Sequence, residues 1–132
     1  MLKLSKKSDY GLLIISKLLH ADEFVSLSKL VEHTRLPLRF LARISAILAR
    51  NGVLMSREGR VGGYKLGKQF SILTAYDFLS IFESNLKMTG CQNSSEKCKF
   101  EHMCKHKDSV ICKLQEVILN DLKKVKLSDL FT

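Results

Sequence analysis

Residues 36–66 read LPLRFLARISAILARNGVLMSREGRVGGYKL, and this stretch decides the fold. Leu41, Ile44, Ile47 and Leu48 recur at helical spacing, so a helix over 37–50 buries one face and sets Arg39, Arg43 and Arg50 on the other. Pro37 suits its first turn, where a missing N–H breaks no hydrogen bond. Asn51-Gly52 is a helix stop. Two short strands follow, around 53–57 and 64–66, joined by a glycine-rich turn over 58–63 that carries Arg60.

Upstream, Ser8 or Asp9 can cap a helix through about His20. Its Leu12, Leu13, Ile14, Ile15, Leu18 and Leu19 are apolar nearly all round, the mark of a buried helix. Val25 and Ser26 are extended, and Ser28 can cap a short helix through His33 or Thr34 that buries Leu30 and Val31. Two helices joined by a short turn, then a β-hairpin with a basic tip, describe a winged helix-turn-helix.

Downstream, Thr74 and Asp77 have capping-box spacing, with Asp in place of the usual Glu or Gln, for a helix through about Glu83. Residues 84–107 are polar, hold three of the four cysteines and show no sustained period. A structureless loop of that length is unusual in a compact domain, and the thiols are the obvious means of ordering it. Beyond it, Val110, Ile111, Leu114, Val117, Ile118, Leu122 and Val125 trace an apolar stripe. It belongs to a helix of about 18 residues, roughly 27 Å long. One small domain hardly covers such a stripe, so a partner helix is expected. The chain thus divides into a winged helix-turn-helix over 1–83, a cysteine-rich loop over 84–107 and a dimerisation helix with C-terminal segment over 108–132. The fold class is mostly α with a small β wing.

Composition narrows the function. The 132 residues carry 22 Lys+Arg against 13 Asp+Glu, and 45% are hydrophobic. That is too apolar for a disordered tail. The longest strictly apolar run, Leu12–Ile15, is far too short for a membrane span or a signal peptide, so the chain is expected in the cytoplasm. The positive surplus is concentrated: residues 1–68 have net charge +8 and residues 69–132 only +1. Such a field attracts nucleic acid through counterion release, although a solvated surface has the same composition. No Ser/His/Asp set, paired carboxylates or phosphate loop suggests an enzyme. The cysteines, Cys91, Cys98, Cys104 and Cys112, are confined to the other half. In a reducing compartment clustered thiols more often bind a metal or redox centre than form a scaffold.

The order of elements resembles the bacterial IscR/NsrR-type regulators, the Rrf-two family, nearly end to end. The resemblance rests on Leu4-Ser5-Lys6 with Ser8-Asp9-Tyr10, and on Val25-Ser26-Leu27 with Leu36-Pro37. Asn51-Gly52 with Gly62-Gly63-Tyr64, the thiol loop and Leu127-Ser128-Asp129-Leu130 complete it. It implies a homodimeric transcription factor on double-stranded, pseudo-palindromic DNA, its long helices crossing at the dimer interface. It also implies that Cys91, Cys98 and Cys104 hold an iron–sulfur cluster of two or four irons.

Soft thiolates suit such clusters. The spacings here are wider than the C-x2-C pairs of zinc fingers, though structural zinc or a thiol-disulfide switch stays open. IscR-like members take a fourth ligand from a histidine after the third cysteine, for which His106 is one residue too near. NsrR-like members use an aspartate of the other subunit's first helix, which Asp9 matches. Cys112, with Leu114 and Ile118 as its i+2 and i+6 neighbours, is as readily core. Asp9 therefore ranks before His106 and Cys112. For DNA, Arg39, Phe40 and Arg43 would face the major groove, Phe40 being as readily packed beneath the helix; Arg50 would lie near the backbone and Ser28 at the lead-in helix. The family's wing arginine before the first turn glycine is replaced by Glu58, which leaves Arg57 and Arg60, with Arg60 as the substitute for its minor-groove contact.

Overall fold

The computed structural model describes residues 3–84, 86–87, 102–104 and 110–132. Helix α1 spans Lys6–Leu18 and its N-cap is Ser5, whose hydroxyl accepts from Ser8 N. The helix thus starts earlier than the Ser8 or Asp9 cap expected, because Ser8 is fully buried and its Oγ donates elsewhere, to Glu83 Oε1 at 2.6 Å. Burial also differs from the all-round pattern. Ser8, Gly11, Ile14, Ile15 and Leu18 form one buried stripe, while Leu12, Leu13 and Leu19 are only half-covered.

Helix α2, Leu27–Leu30, is a single turn capped by Ser26, which accepts from Lys29 N at 3.3 Å. Ser28 therefore lies inside the turn, exposed, and does not cap it. The chain leaves α2 through His33, whose φ of 62° ends any continuation toward Thr34. Helix α3, Leu38–Arg50, is entered from Pro37 as its N-cap rather than its first helical residue. Leu41, Ile44, Ser45 and Leu48 are its buried face, with Ile47 half-buried. It ends as expected: Asn51 is the C-cap, Gly52 takes φ +74°, and Val53 N bonds Leu48 O at 3.0 Å.

Strands β1 (Leu54–Arg57) and β2 (Gly63–Leu66) form an antiparallel hairpin with Leu54 opposite Leu66 and Arg57 opposite Gly63. After a 3-10 turn at Lys68–Ser71, helix α4 (Ala75–Phe82) begins with the expected box. Asp77 N donates to Thr74 Oγ1 at 3.1 Å, and Thr74 N donates to Asp77 Oδ2 at 3.2 Å. Helix α5 is described over Val110–Lys124, and residues 105–109 before it lie outside the described residues. Beyond it the chain folds back: Ala75 N bonds Val125 O at 2.9 Å, Leu127 N bonds Leu73 O at 2.8 Å, and Leu127 is 2% exposed in the core. The core gathers Ile14, Ile15 and Leu18 of α1, Leu41, Ile44 and Leu48 of α3, Val53, Leu54 and Phe78. Among the described residues no helix is long and apolar enough to cross a membrane.

Candidate nucleic-acid interface and thiol segment

The buried face of α3 fixes what its other face presents. With Leu41, Ile44 and Leu48 in the core, Arg39, Arg43 and Arg50 are exposed. None of these arginines is in an ion pair among the described residues, so their guanidinium groups are open to an outside acceptor. Phe40 is half-buried, its ring edge-on to Tyr10 of α1 with centroids 5.2 Å apart, so it braces α3 from below. Ser28 is exposed on α2.

Arg57 and Arg60 project from the hairpin, both exposed. The Arg57 guanidinium carbon lies 4.6 Å from the centroid of the Phe24 ring. The hairpin is joined to the α1–α2 connection by an isolated antiparallel bridge between Val25 and Tyr64. This bridge requires Gly63, at φ +143°: a side chain there would collide with the Val25 carbonyl. At the tip, a Cβ on Gly62 would strike the Arg57 carbonyl. Both glycines therefore allow close backbone approach, as well as turning the chain.

Of the thiol segment, Cys91, Cys98 and His106 lie outside the described residues. Cys104 is half-buried and Cys112 is exposed on α5. Asp9 is exposed in the first turn of α1. Among the described residues no three His, Cys, Asp or Glu side chains converge on one point.

Pattern reading missed two residues. Phe24 is a single aromatic in a polar connection, and a ring beside a basic hairpin in sequence gives no sign that the two meet. Glu83 ends α4, and its Oε1 accepts from Ser5 N at 2.9 Å and from Ser8 Oγ. The root of the thiol segment is thereby tied to the start of the helix that carries Asp9. Burial by itself would raise the Glu83 pKa, but the hydrogen bonds from Ser8 and Ser5 outweigh it and hold the carboxyl below its usual value.

Comparison with known proteins follows the same architecture. The model of the Rrf2 family, an iron-dependent transcriptional regulator, matches residues 4–132. The transcriptional regulator CymR of Bacillus subtilis is 28% identical over 123 residues, 92% of this chain and 89% of that protein. The solved structure of that CymR, a global cysteine regulator, superposes with a TM-score of 0.70 at 26% identity, covering 99% of this chain and 97% of the other. The regulator IscR of Yersinia pestis is 28% identical over 105 residues, 78% of this chain and 63% of its own length. The structure of T. potens IscR gives a TM-score of 0.67 at 26% identity, covering 98% and 85% of the two chains.

Proposed function

The chain belongs to the Rrf2 family of transcriptional regulators, and from that premise we propose that it is a homodimeric, cytoplasmic DNA-binding repressor controlled by an iron–sulfur cluster. The observation that supports this most directly is the exposed arginine face of α3, set beside a hairpin that carries Arg57 and Arg60. In this reading α3 is the recognition helix. Arg39 and Arg43, one turn apart, reach base edges, where arginine binds guanine bidentately. Arg50, Arg57 and Arg60 meet the backbone or minor groove, Phe40 supports the helix from beneath, and Ser28 lies near the backbone.

Cys91, Cys98 and Cys104 would hold the cluster, with Asp9 of the other protomer ahead of His106 or Cys112 as fourth ligand. The donor set fits: three soft thiolates, one of them the half-buried Cys104, and a carboxylate exposed on α1 where a second protomer can reach it. When bound, such a cluster supplies chemistry that responds to iron supply, nitric oxide or oxidants. The protein's own residues supply the coupling. Glu83 ties the start of the thiol segment to Ser5 and Ser8 of α1, and Tyr10 of α1 packs against Phe40 of α3. A change in how residues 84–107 are held thus has a packed route to the recognition helix.

Two measurements test the reading. On DNA fragments that the purified protein selects from a genomic pool, Arg43→Ala is expected to lose roughly 1–3 kcal/mol of specific binding while changing random-sequence binding little. An equal loss on both would make Arg43 a phosphate contact. Protein purified without oxygen is expected to be brown, with iron and sulfide, and Cys98→Ala to lose both. The full-length likeness to CymR, the global cysteine regulator, favours a second reading, a zinc-stabilised or thiol-disulfide regulator without a cluster. Colourless protein with stoichiometric zinc, or intersubunit disulfides in oxidised cells, would establish it instead.

A further inference from the structure

The α1–α2 connection is built into the wing. Val25 N donates to Tyr64 O at 2.9 Å and Tyr64 N to Val25 O at 2.8 Å, while Lys65 Nζ donates to Asp22 O at 2.7 Å. Residues 22–26 are therefore held against β2 at Val25 and Asp22. Between this segment, α2 and the wing tip lies a cleft of about 500 Å³ whose polar and charged lining is Glu23, Ser26, Lys29, Arg57 and Arg60. Phe24 forms one wall, and its ring face carries the Arg57 guanidinium at 4.6 Å.

The chemistry of that wall is specific. A long arginine side chain on an exposed hairpin is otherwise free to rotate. Stacking on an aromatic face satisfies the flat side of the guanidinium and leaves its N–H edges for acceptors. Lys29 and Arg60 are exposed on the same cleft, and Ser26 Oγ, which accepts from Lys29 N, keeps its own hydrogen to donate. Three cations face one carboxylate, Glu23. All the charged groups are exposed, so a single small anion would be bound weakly at physiological salt. A polyanion places one charge after another against such a surface and gains counterion release at each contact.

We propose that this cleft is a phosphate clamp for the nucleic-acid backbone, with Lys29, Arg57 and Arg60 as its cations and Phe24 as the positioning residue that holds Arg57 in it. The clamp rests on the DNA-binding reading above and adds to it a site, a role for Phe24 and two further contacts, Ser26 and Lys29.

The test is titration of the whole protein with a random-sequence DNA duplex across a range of salt, followed by fluorescence anisotropy, with thermal melting of every variant as a folding control. Arg57→Ala is expected to lower the slope of log K against log salt by about 0.9, the loss of one phosphate contact. Phe24→Leu, which keeps an apolar wall but removes the ring face, is expected to weaken binding about three- to fivefold. Phe24→Tyr restores the ring and binds like the parent. In the Arg57→Ala background Phe24→Leu causes no further loss, and Glu23→Gln tightens binding. Parent-like binding by Phe24→Leu, or the same loss from it with and without Arg57, would overturn the clamp. If the parent protein binds the duplex while the Arg57 and Phe24 variants bind it equally well and with the same salt slope, the clamp alone fails. If the parent protein binds no duplex, the DNA-binding reading fails and takes the clamp with it.

Discussion

Glu83 shows how one carboxylate can tie two distant segments of the chain together. It accepts from Ser5 N and Ser8 Oγ across a sequence separation of more than seventy residues, and these bonds hold its pKa down despite partial burial. The sign of the linkage follows. A carboxyl whose folded pKa lies below its unfolded value adds stability that is present above the unfolded value. That stability is lost as pH falls through the lowered folded one. At neutral pH Glu83→Gln is therefore expected to cost about 1 kcal/mol, as weaker acceptance replaces bonds to a charged oxygen. The gap between parent and variant in thermal melting should close as the pH is taken down through the carboxylate range. A gap that stays constant would show that the charge on Glu83 contributes nothing. Because the bond partners start α1, the same variant should also loosen the packing between Tyr10 and Phe40 beneath α3.

Between elements, α1 approaches α4 closely at Gly11. A Cβ on Gly11 would lie 2.9 Å from Phe82 Cε2 and 3.1 Å from Phe78 Cζ, and the two rings are themselves packed edge to face at 5.6 Å. Phe78 is 1% exposed and has no room to yield. Gly11→Ala gains up to about 1 kcal/mol of helix propensity but overpacks this contact by roughly 1–3 kcal/mol. A net loss of about 1 kcal/mol is expected in urea denaturation, with much of it recovered by adding Phe82→Leu, which clears the nearest ring atom. A parent-like midpoint for Gly11→Ala would show that α4 shifts freely. The helices also show where pattern reading succeeds and stops. The 3.6-residue period of Leu41, Ile44 and Leu48, the Asn51-Gly52 stop and the Thr74–Asp77 box are local signals, and each appears in the structure. The caps of α1 and α2 do not follow from local sequence. Each start offers neighbouring Ser or Asp side chains, and the choice of Ser5 over Ser8 follows from the distant Glu83. For the same reason the arginines of α3 were legible, whereas Phe24, Ser26 and Lys29 meet the wing only through the long-range pairing of Val25 with Tyr64.

For the whole molecule the decisive feature is α5. Leu127, buried in the head's core, and the pairing of Thr74 with Lys126 anchor the C-terminal end of this helix. Ile118 and Leu122 are half-buried, and with Ala75 and Leu130 they line a shallow apolar hollow beside α4. Val110, Leu114 and Val117, at i, i+4 and i+7, face solvent at 53%, 47% and 60% exposure. No residue of α5 is buried within the chain, so its apolar stripe is only half used by the head. In the proposed dimer the same three side chains of a second protomer cover the remainder, as a twofold interface requires. The double variant Leu114→Glu, Val117→Glu places two like charges from each protomer against each other and is expected to sediment as a monomer. The head should keep its melting transition, since neither residue contributes to the core. Binding to a palindromic site, with half-sites about 34 Å apart, should then fall steeply because each head binds alone. Random-duplex binding per head, which needs only the arginines and the cleft, should change little. A variant that stays dimeric would place the contact between protomers on another surface.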